Sequence, residues 1–118
     1  MELTDYQDKA MTTCLDTCEN GSYMLLNLVA EVGEFAGKVA KAIRKGDMEI
    51  TYNELTTVIY DGVHDYFADL KSEAGDILWQ LSGLCKMMGW PLEDVARANL
   101  DKLAARKKTD TIITHTDH

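Results

Sequence analysis

Proline is nearly absent from this sequence, with Pro91 alone among 118 residues. A chain so poor in the residue that breaks helices can carry long uninterrupted ones. Runs of β-branched residues are also few, so the expectation is an all-α domain. Cysteine is scarce: Cys14, Cys18 and Cys85 are odd in number and lack the spacing of a disulfide framework. Cys14 and Cys18 have no further soft ligands nearby and read as small core residues. Histidine is limited to His64, His115 and His118. No Glu-x-x-His motif of a bundle di-iron centre occurs, the nearest approach being Asp61-Gly62-Val63-His64 on a predicted turn. Basic charge is short too, with 12 Lys and Arg against 20 Asp and Glu and a net charge of -8, which argues against a nucleic-acid polymer as partner. No apolar run reaches the about 18 residues of a membrane helix. The first residues, Met1 to Asp5, lack the basic and apolar regions of a signal peptide. These features point to a cytoplasmic protein with no membrane partner. Phosphate-binding glycine loops and nucleophiles paired with histidine are likewise missing.

What is present is helical periodicity. Residues 1–108 read as one domain, and 109–118 as a tail that is mobile or borrowed by a partner subunit. Residues 4–19 form a first predicted helix, with Thr4 and Gln7 spaced as a capping box and Asn20-Gly21 ending it. Ser22 can cap a second helix over 23–44. There Leu25, Leu28, Val29, Val32, Ala36, Val39 and Ile43 make a continuous apolar stripe expected to face the core. Ala30, Gly33, Gly37 and Ala40 form a small-residue face suited to close approach by a helix of this chain or of a second subunit. In the 46–64 connection, Thr51-Tyr52-Asn53-Glu54 reads as a capping box opening a short extra helix to residue 60, with Leu55, Val58 and Ile59 inward. A helix over 65–88 is predicted to bury Phe67, Leu70, Ala74, Ile77, Leu81, Leu84, Cys85 and Met88. The last, over 91–107, should turn Leu92, Val95, Ala96 and Leu103 inward. The expected architecture is a four-helix-bundle core completed by dimerisation.

Two pairs of acids stand out inside these helices: Glu31-Val32-Gly33-Glu34 and Glu73-Ala74-Gly75-Asp76. Residues at i and i+3 lie about 60° apart around a helix axis and about 4.5 Å apart along it, so each pair projects from one face. If the helices pack side by side, four carboxylates converge. Such a cluster repels itself and is costly to desolvate, and a hard divalent cation is the simplest partner that makes it favourable. Oxygen ligands without histidine suit Mg²⁺, with Mn²⁺ as a substitute. Both acid motifs contain a glycine, which reads as a device for close helix packing. Asn99, Lys102 and Arg106 share one stripe of the last helix, and Lys38 lies one turn after Glu34. The cations can grip phosphates, although a solvated helix end complementing the dipole accounts for Lys102 and Arg106 equally well. Trp79 projects away from the core stripe and reads as an interface residue or a base-stacking surface.

Taken together, Glu31-Val32-Gly33-Glu34-Phe35, then Glu73-Ala74-Gly75-Asp76-Ile77-Leu78-Trp79, then Asn99 with Lys102 and Arg106 resemble the MazG-type nucleotide pyrophosphohydrolases in residue type and order. The resemblance covers about residues 22–108. It implies an all-α enzyme that uses Mg²⁺ to cut a nucleoside triphosphate between its α and β phosphates. The products are the monophosphate and pyrophosphate, and the role is clearance of unwanted nucleotides. It implies Glu31, Glu34, Glu73 and Asp76 as metal ligands and catalytic groups, and Lys38, Asn99, Lys102 and Arg106 as substrate contacts. It also implies a homodimer or homotetramer. Two readings stay beside it: a related activity on deoxyuridine or deoxycytidine nucleotides or phosphoribosyl-ATP, and a non-catalytic helical interaction module with a structural metal.

Overall fold

The computed structural model describes residues 1–16, 20–57 and 65–109. Cys18, Val58, Ile59, His64, His115 and His118 lie outside the described residues, as does nearly all of the predicted tail. Among the described residues the fold is all-α apart from one hairpin. Its elements run α1 (Leu3–Met11), α2 (Gly21–Arg44), β1 (Met48–Thr51), β2 (Glu54–Thr57), α3 (Tyr66–Met87) and α4 (Leu92–Lys108).

The long helices α2 and α3 form the centre, packed side by side and antiparallel. Asn20 begins α2 by accepting a hydrogen bond from the Tyr23 N–H at 3.1 Å, so the cap is Asn20 and not the expected Ser22. Asp65 does the same for α3 through the Ala68 N–H at 3.0 Å. Gly46 and Gly89 end the two helices at φ +80° and +75°, a backbone that suits glycine. Near one end of the pair Met24 of α2, 1% exposed, fills the space over Gly83 of α3. A methyl group on Gly83 would come within 2.5 Å of the Met24 sulfur. Nearer the other end, the Lys38 ammonium reaches Glu73 at 2.9 Å.

The predicted short helix in the 46–64 connection is instead a β-hairpin. Thr51 pairs with Glu54 around a two-residue loop in which Tyr52 and Asn53 adopt φ +51° and +68°. Positive φ at both central residues is the type I′ turn that matches strand twist, and asparagine tolerates it well. The threonines and isoleucine that flank the loop favour strands, so the local pattern of a capping box loses to turn chemistry. Leu55 does turn inward, but from β2. It packs with Val39 and Tyr66 around Ala42, Met48 and Leu70, which are at most 7% exposed. The hairpin thus seals that end of the α2–α3 pair. The Tyr66 hydroxyl, donating to the Asp47 carboxylate, ties the start of α3 to the end of α2.

At the opposite end, α1 bridges α3 and α4. Thr4 and Gln7 do not form a capping box on their own helix, whose N-cap is Glu2 with no side-chain bond. They cap α4 across the fold instead. Gln7, 5% exposed, donates to the carbonyls of Ser82 and Trp90 at 3.1 Å each and accepts from the Leu92 N–H at 3.0 Å. Thr4 accepts from the Glu93 N–H at 3.3 Å. Pro91 holds the N-cap position of α4 without a side chain to offer, which leaves those amides to α1. The Trp79 indole donates to the Ala10 carbonyl and the Thr13 hydroxyl, so it anchors the end of α1 and is no free stacking surface. Cys14, half-buried just past α1, is disulfide-bonded and not a core thiol. Cys85 is the buried free cysteine, its thiol pushed up by burial.

Several expected core positions are solvent-facing in the single chain. On α2, Leu25, Val29 and Val32 are 49–66% exposed, and Ala36 and Ile43 are exposed too; Leu26, beside the predicted stripe, is 68% exposed. Phe67, Ala74, Leu81, Met88 and Val95 behave likewise, whereas Leu70, Cys85 and Leu92 are buried as expected. A Cβ placed on Gly33, Gly37 or Gly75 would meet nothing within 4 Å, so the glycines of the acid motifs pack no helix of their own chain among the described residues. A radius of gyration of 17.7 Å fits this open form. A compact chain of 100 residues would show about 13 Å.

The α1–α4 capping generates a prediction. Gln7→Leu keeps the volume but strands the Leu92 N–H and two carbonyls. It should cost about 2–4 kcal/mol in urea unfolding, with Thr4→Ala costing clearly less.

Candidate metal centre

The seam between α2 and α3 brings three of the four acids together. One oxygen each from Glu31, Glu73 and Asp76 lies within 4.8 Å of the others. The helix spacing explains this. Glu73 and Asp76 share one face of α3, and antiparallel packing sets Glu31 of α2 opposite them. Glu73 is 9% exposed, Glu31 half-buried and Asp76 open to solvent. Glu34 stands outside the converging set, exposed, and hydrogen-bonds Glu31.

The electrostatics are those of a site short of positive charge. Burial pushes the Glu31 carboxyl above its usual range, and the nearby charges of Glu34, Asp76 and Glu73 push it further. Lys38 offsets part of the charge through its ion pair with Glu73, and that hydrogen bond holds the ammonium above its usual value. Even so, Oε2 of Glu31 and Oε2 of Glu73 are buried with no hydrogen-bond partner. A buried oxygen without a partner is costly. Two of them beside a third carboxylate fit a hard cation that takes only oxygen donors.

The predicted substrate contacts separate into two groups. Lys38 sits in the acid cluster. Asn99, Lys102 and Arg106 lie on α4, whose main contact is α1. Asn99 and Lys102 line an open cleft of about 540 Å³ beside Trp90 and Val95. Among the described residues no ion pair ties Lys102 or Arg106 to the acids of the same chain.

Two features went unrecognised in the sequence. Gln80, one turn beyond Asp76, is 4% exposed, and its carbonyl oxygen has no partner. Its spacing from Glu73 and Asp76 was the available signal. Lys41 and Lys45 continue the Lys38 stripe and line a cavity of about 210 Å³ with it. Cations in a last helical turn are commonplace, so sequence alone gave them no weight.

A helix pair with carboxylates converging in its seam defines a class of all-α proteins with a candidate cation site. Within it the sequence matches the MazG nucleotide pyrophosphohydrolase domain over residues 19–110. The chain belongs to that family. It is also 32% identical to the Gene 37 protein of Mycobacterium phage L5 over 119 aligned positions, covering 95% of this chain and 94% of the phage protein. No solved structure matches it.

Glu31, half-buried among the other acids, makes stability depend on pH with a definite sign. Glu31 titrates above 4.5 in the folded state, so the fold binds its proton more tightly than the unfolded chain does. Without divalent cation, stability contributed by the protonated acid is therefore lost as pH rises from 4.5 through the raised value. Glu31→Gln should melt higher than wild type at pH 7 in EDTA, and the gap should close below pH 4.5. Melting curves across that range, with and without Mg²⁺, check it, with Mg²⁺ raising the wild type alone.

Proposed function

We propose that this protein is a Mg²⁺-dependent nucleoside triphosphate pyrophosphohydrolase that releases a nucleoside monophosphate and pyrophosphate and clears unwanted nucleotides. The observation that carries the reading is the convergence of Glu31, Glu73 and Asp76 with two buried oxygens lacking partners. Family membership supports the reaction class. Glu31, Glu73 and Asp76 would hold the ion, with Glu34 beside them. When bound, it would supply Lewis-acid polarisation of the phosphate and neutralise developing charge.

The chain's own residues have distinct tasks in this reading. Glu34 is exposed and next to the converging set, so it can accept the proton of the attacking water. Lys38 offsets the acids until substrate arrives and then meets phosphate oxygen. Lys102 and Arg106 grip phosphate from α4, and Asn99 contacts the substrate beside them. Because α4 leans away on α1, a neighbouring subunit is a natural source of these groups.

The assembly follows from the exposed face of α2. Leu25, Leu26, Val29 and Val32 form a contiguous apolar surface next to the open Gly33–Gly37 face. A second copy of the chain, presenting the same face, would cover it around a two-fold axis as a homodimer or as half of a homotetramer.

Two experiments test this. A pyrophosphate-release screen across common and modified nucleoside triphosphates should find turnover with Mg²⁺. In it, Glu34→Gln and Asp76→Asn should lose activity by at least about a hundredfold while melting normally. Retention of activity in both would remove the site assignment. Light scattering after size exclusion should give a dimer or tetramer, and Leu26→Asp with Val29→Asp should give a monomer.

A further inference from the structure

Beyond the acids, the α2–α3 seam opens into the cavity of about 210 Å³ beside Lys38. Its floor is the rigid cluster of Ala42, Met48 and Leu70 sealed by the hairpin. Lys38 and Lys41 of α2 and Lys45 at its C-cap line it, at i, i+3 and i+7 on one face. Tyr66 and Asp69 line it from α3. Three cations against one carboxylate is an unusual concentration in a chain with a net charge of -8. Like charges at these spacings oppose each other along a helix. The helix dipole favours cations near the end of α2, but it does not require that they share one cavity.

We propose that this cavity is the subsite for the two phosphates that leave as pyrophosphate, with Lys41 and Lys45 binding their oxygens and Lys38 standing between them and the carboxylates. The assignment rests on the pyrophosphohydrolase reading and gives the substrate a direction in the seam. Lys38 belongs to both places, since it pairs with Glu73 and lines the cavity. Along the axis Lys41 lies about 4.5 Å and Lys45 about 10.5 Å beyond it, a span that side chains and a short phosphate chain can bridge. At about 30 Å³ per water the cavity holds roughly seven waters, room for phosphate groups with part of their hydration.

A nucleobase suits the cavity poorly. No Asn, Gln, Ser or Thr lines it to pair with the edge of a base, and the Tyr66 hydroxyl already donates to Asp47. The apolar floor lowers the local dielectric and strengthens the attraction between lysine and phosphate. In the reaction, a water oxygen bonds to the α phosphorus and the bond from that phosphorus to the bridging oxygen breaks. The electron pair stays with the departing pyrophosphate, and the added negative charge falls beside Lys38, Lys41 and Lys45. The water proton passes to Glu34. The nucleoside then lies toward the opposite end of the seam, where Gln80 has its free carbonyl oxygen.

The test is calorimetric binding of inorganic pyrophosphate in the presence of Mg²⁺. It compares the wild-type protein, Lys41→Met with Lys45→Met, and a control carrying Lys107→Met with Lys108→Met at the end of α4. Lys41 and Lys45 are exposed, so the double variant should fold, and its melting curve checks this. Pyrophosphate affinity should fall at least about tenfold in the Lys41/Lys45 variant and stay unchanged in the control. Binding of nucleoside monophosphate should be unchanged in both. Equal pyrophosphate affinity in wild type and the Lys41/Lys45 variant, or no pyrophosphate binding by wild type, overturns the subsite. Loss of monophosphate binding instead of pyrophosphate binding overturns it too, by assigning the cavity to the nucleoside. The release screen is read separately. If no triphosphate is hydrolysed while pyrophosphate still binds through the two lysines, the subsite stands and the proposed reaction fails.

Discussion

Carboxylates brought together in the seam of two helices repel one another, and the closer the helices pack the harder the repulsion becomes. In this protein the packing is close. Met24 fills the space over Gly83 near one end, and the hairpin cluster of Ala42, Met48 and Leu70 fixes the other. Between these two apolar clamps, Glu31, Glu73 and Asp76 cannot drift apart without unpacking the pair. The hydrophobic contacts therefore hold a charge arrangement that would not assemble by itself. Lys38 relieves part of it in the cation-free protein. In the proposed reading the arrangement would store affinity for a divalent ion at some cost to the free protein, which is how stability and function trade against each other at many sites.

The lengthwise order of side chains follows from the same seam. Antiparallel packing lines up Gln80 at one end, the acids in the middle and three lysines at the other. A ligand laid along the seam meets an amide, then carboxylates, then ammonium groups. Such a gradient orients a molecule that carries its charge at one end. The hairpin is part of this order, because Met48 closes the floor beneath the lysines.

The acid cluster was legible in the sequence because an i, i+3 pair on a helix has nearly fixed geometry, and two such pairs on neighbouring apolar helices leave few ways to pack. The helices themselves were legible for the same reason, with boundaries close to the observed ones in α2, α3 and α4. The hairpin was not, because Thr51-Tyr52-Asn53-Glu54 satisfies both a capping box and a type I′ turn locally. The Met48 side chain, packed 2% exposed against α2 and α3, belongs to the hairpin alone. Gln7 was misread likewise: its spacing from Thr4 suggested a cap, which was right, but the helix it caps is 85 residues away. The apolar stripe on α2 signalled burial without naming what does the burying. Periodicity records that a face avoids water and carries no information on which chain covers it.

The bonds from Thr4 and Gln7 to the start of α4 join residues more than 80 apart in sequence. Contacts of that span close late, since the whole intervening chain must first be brought in. Gln7 also donates to Ser82 and Trp90, so its partners are complete only once α3, the turn after it and the start of α4 are all in place. The α2–α3 pair needs neither of the bonds to α4, whereas the start of α4 depends on both. A chain shortened at its N-terminus would lose the C-terminal helix first.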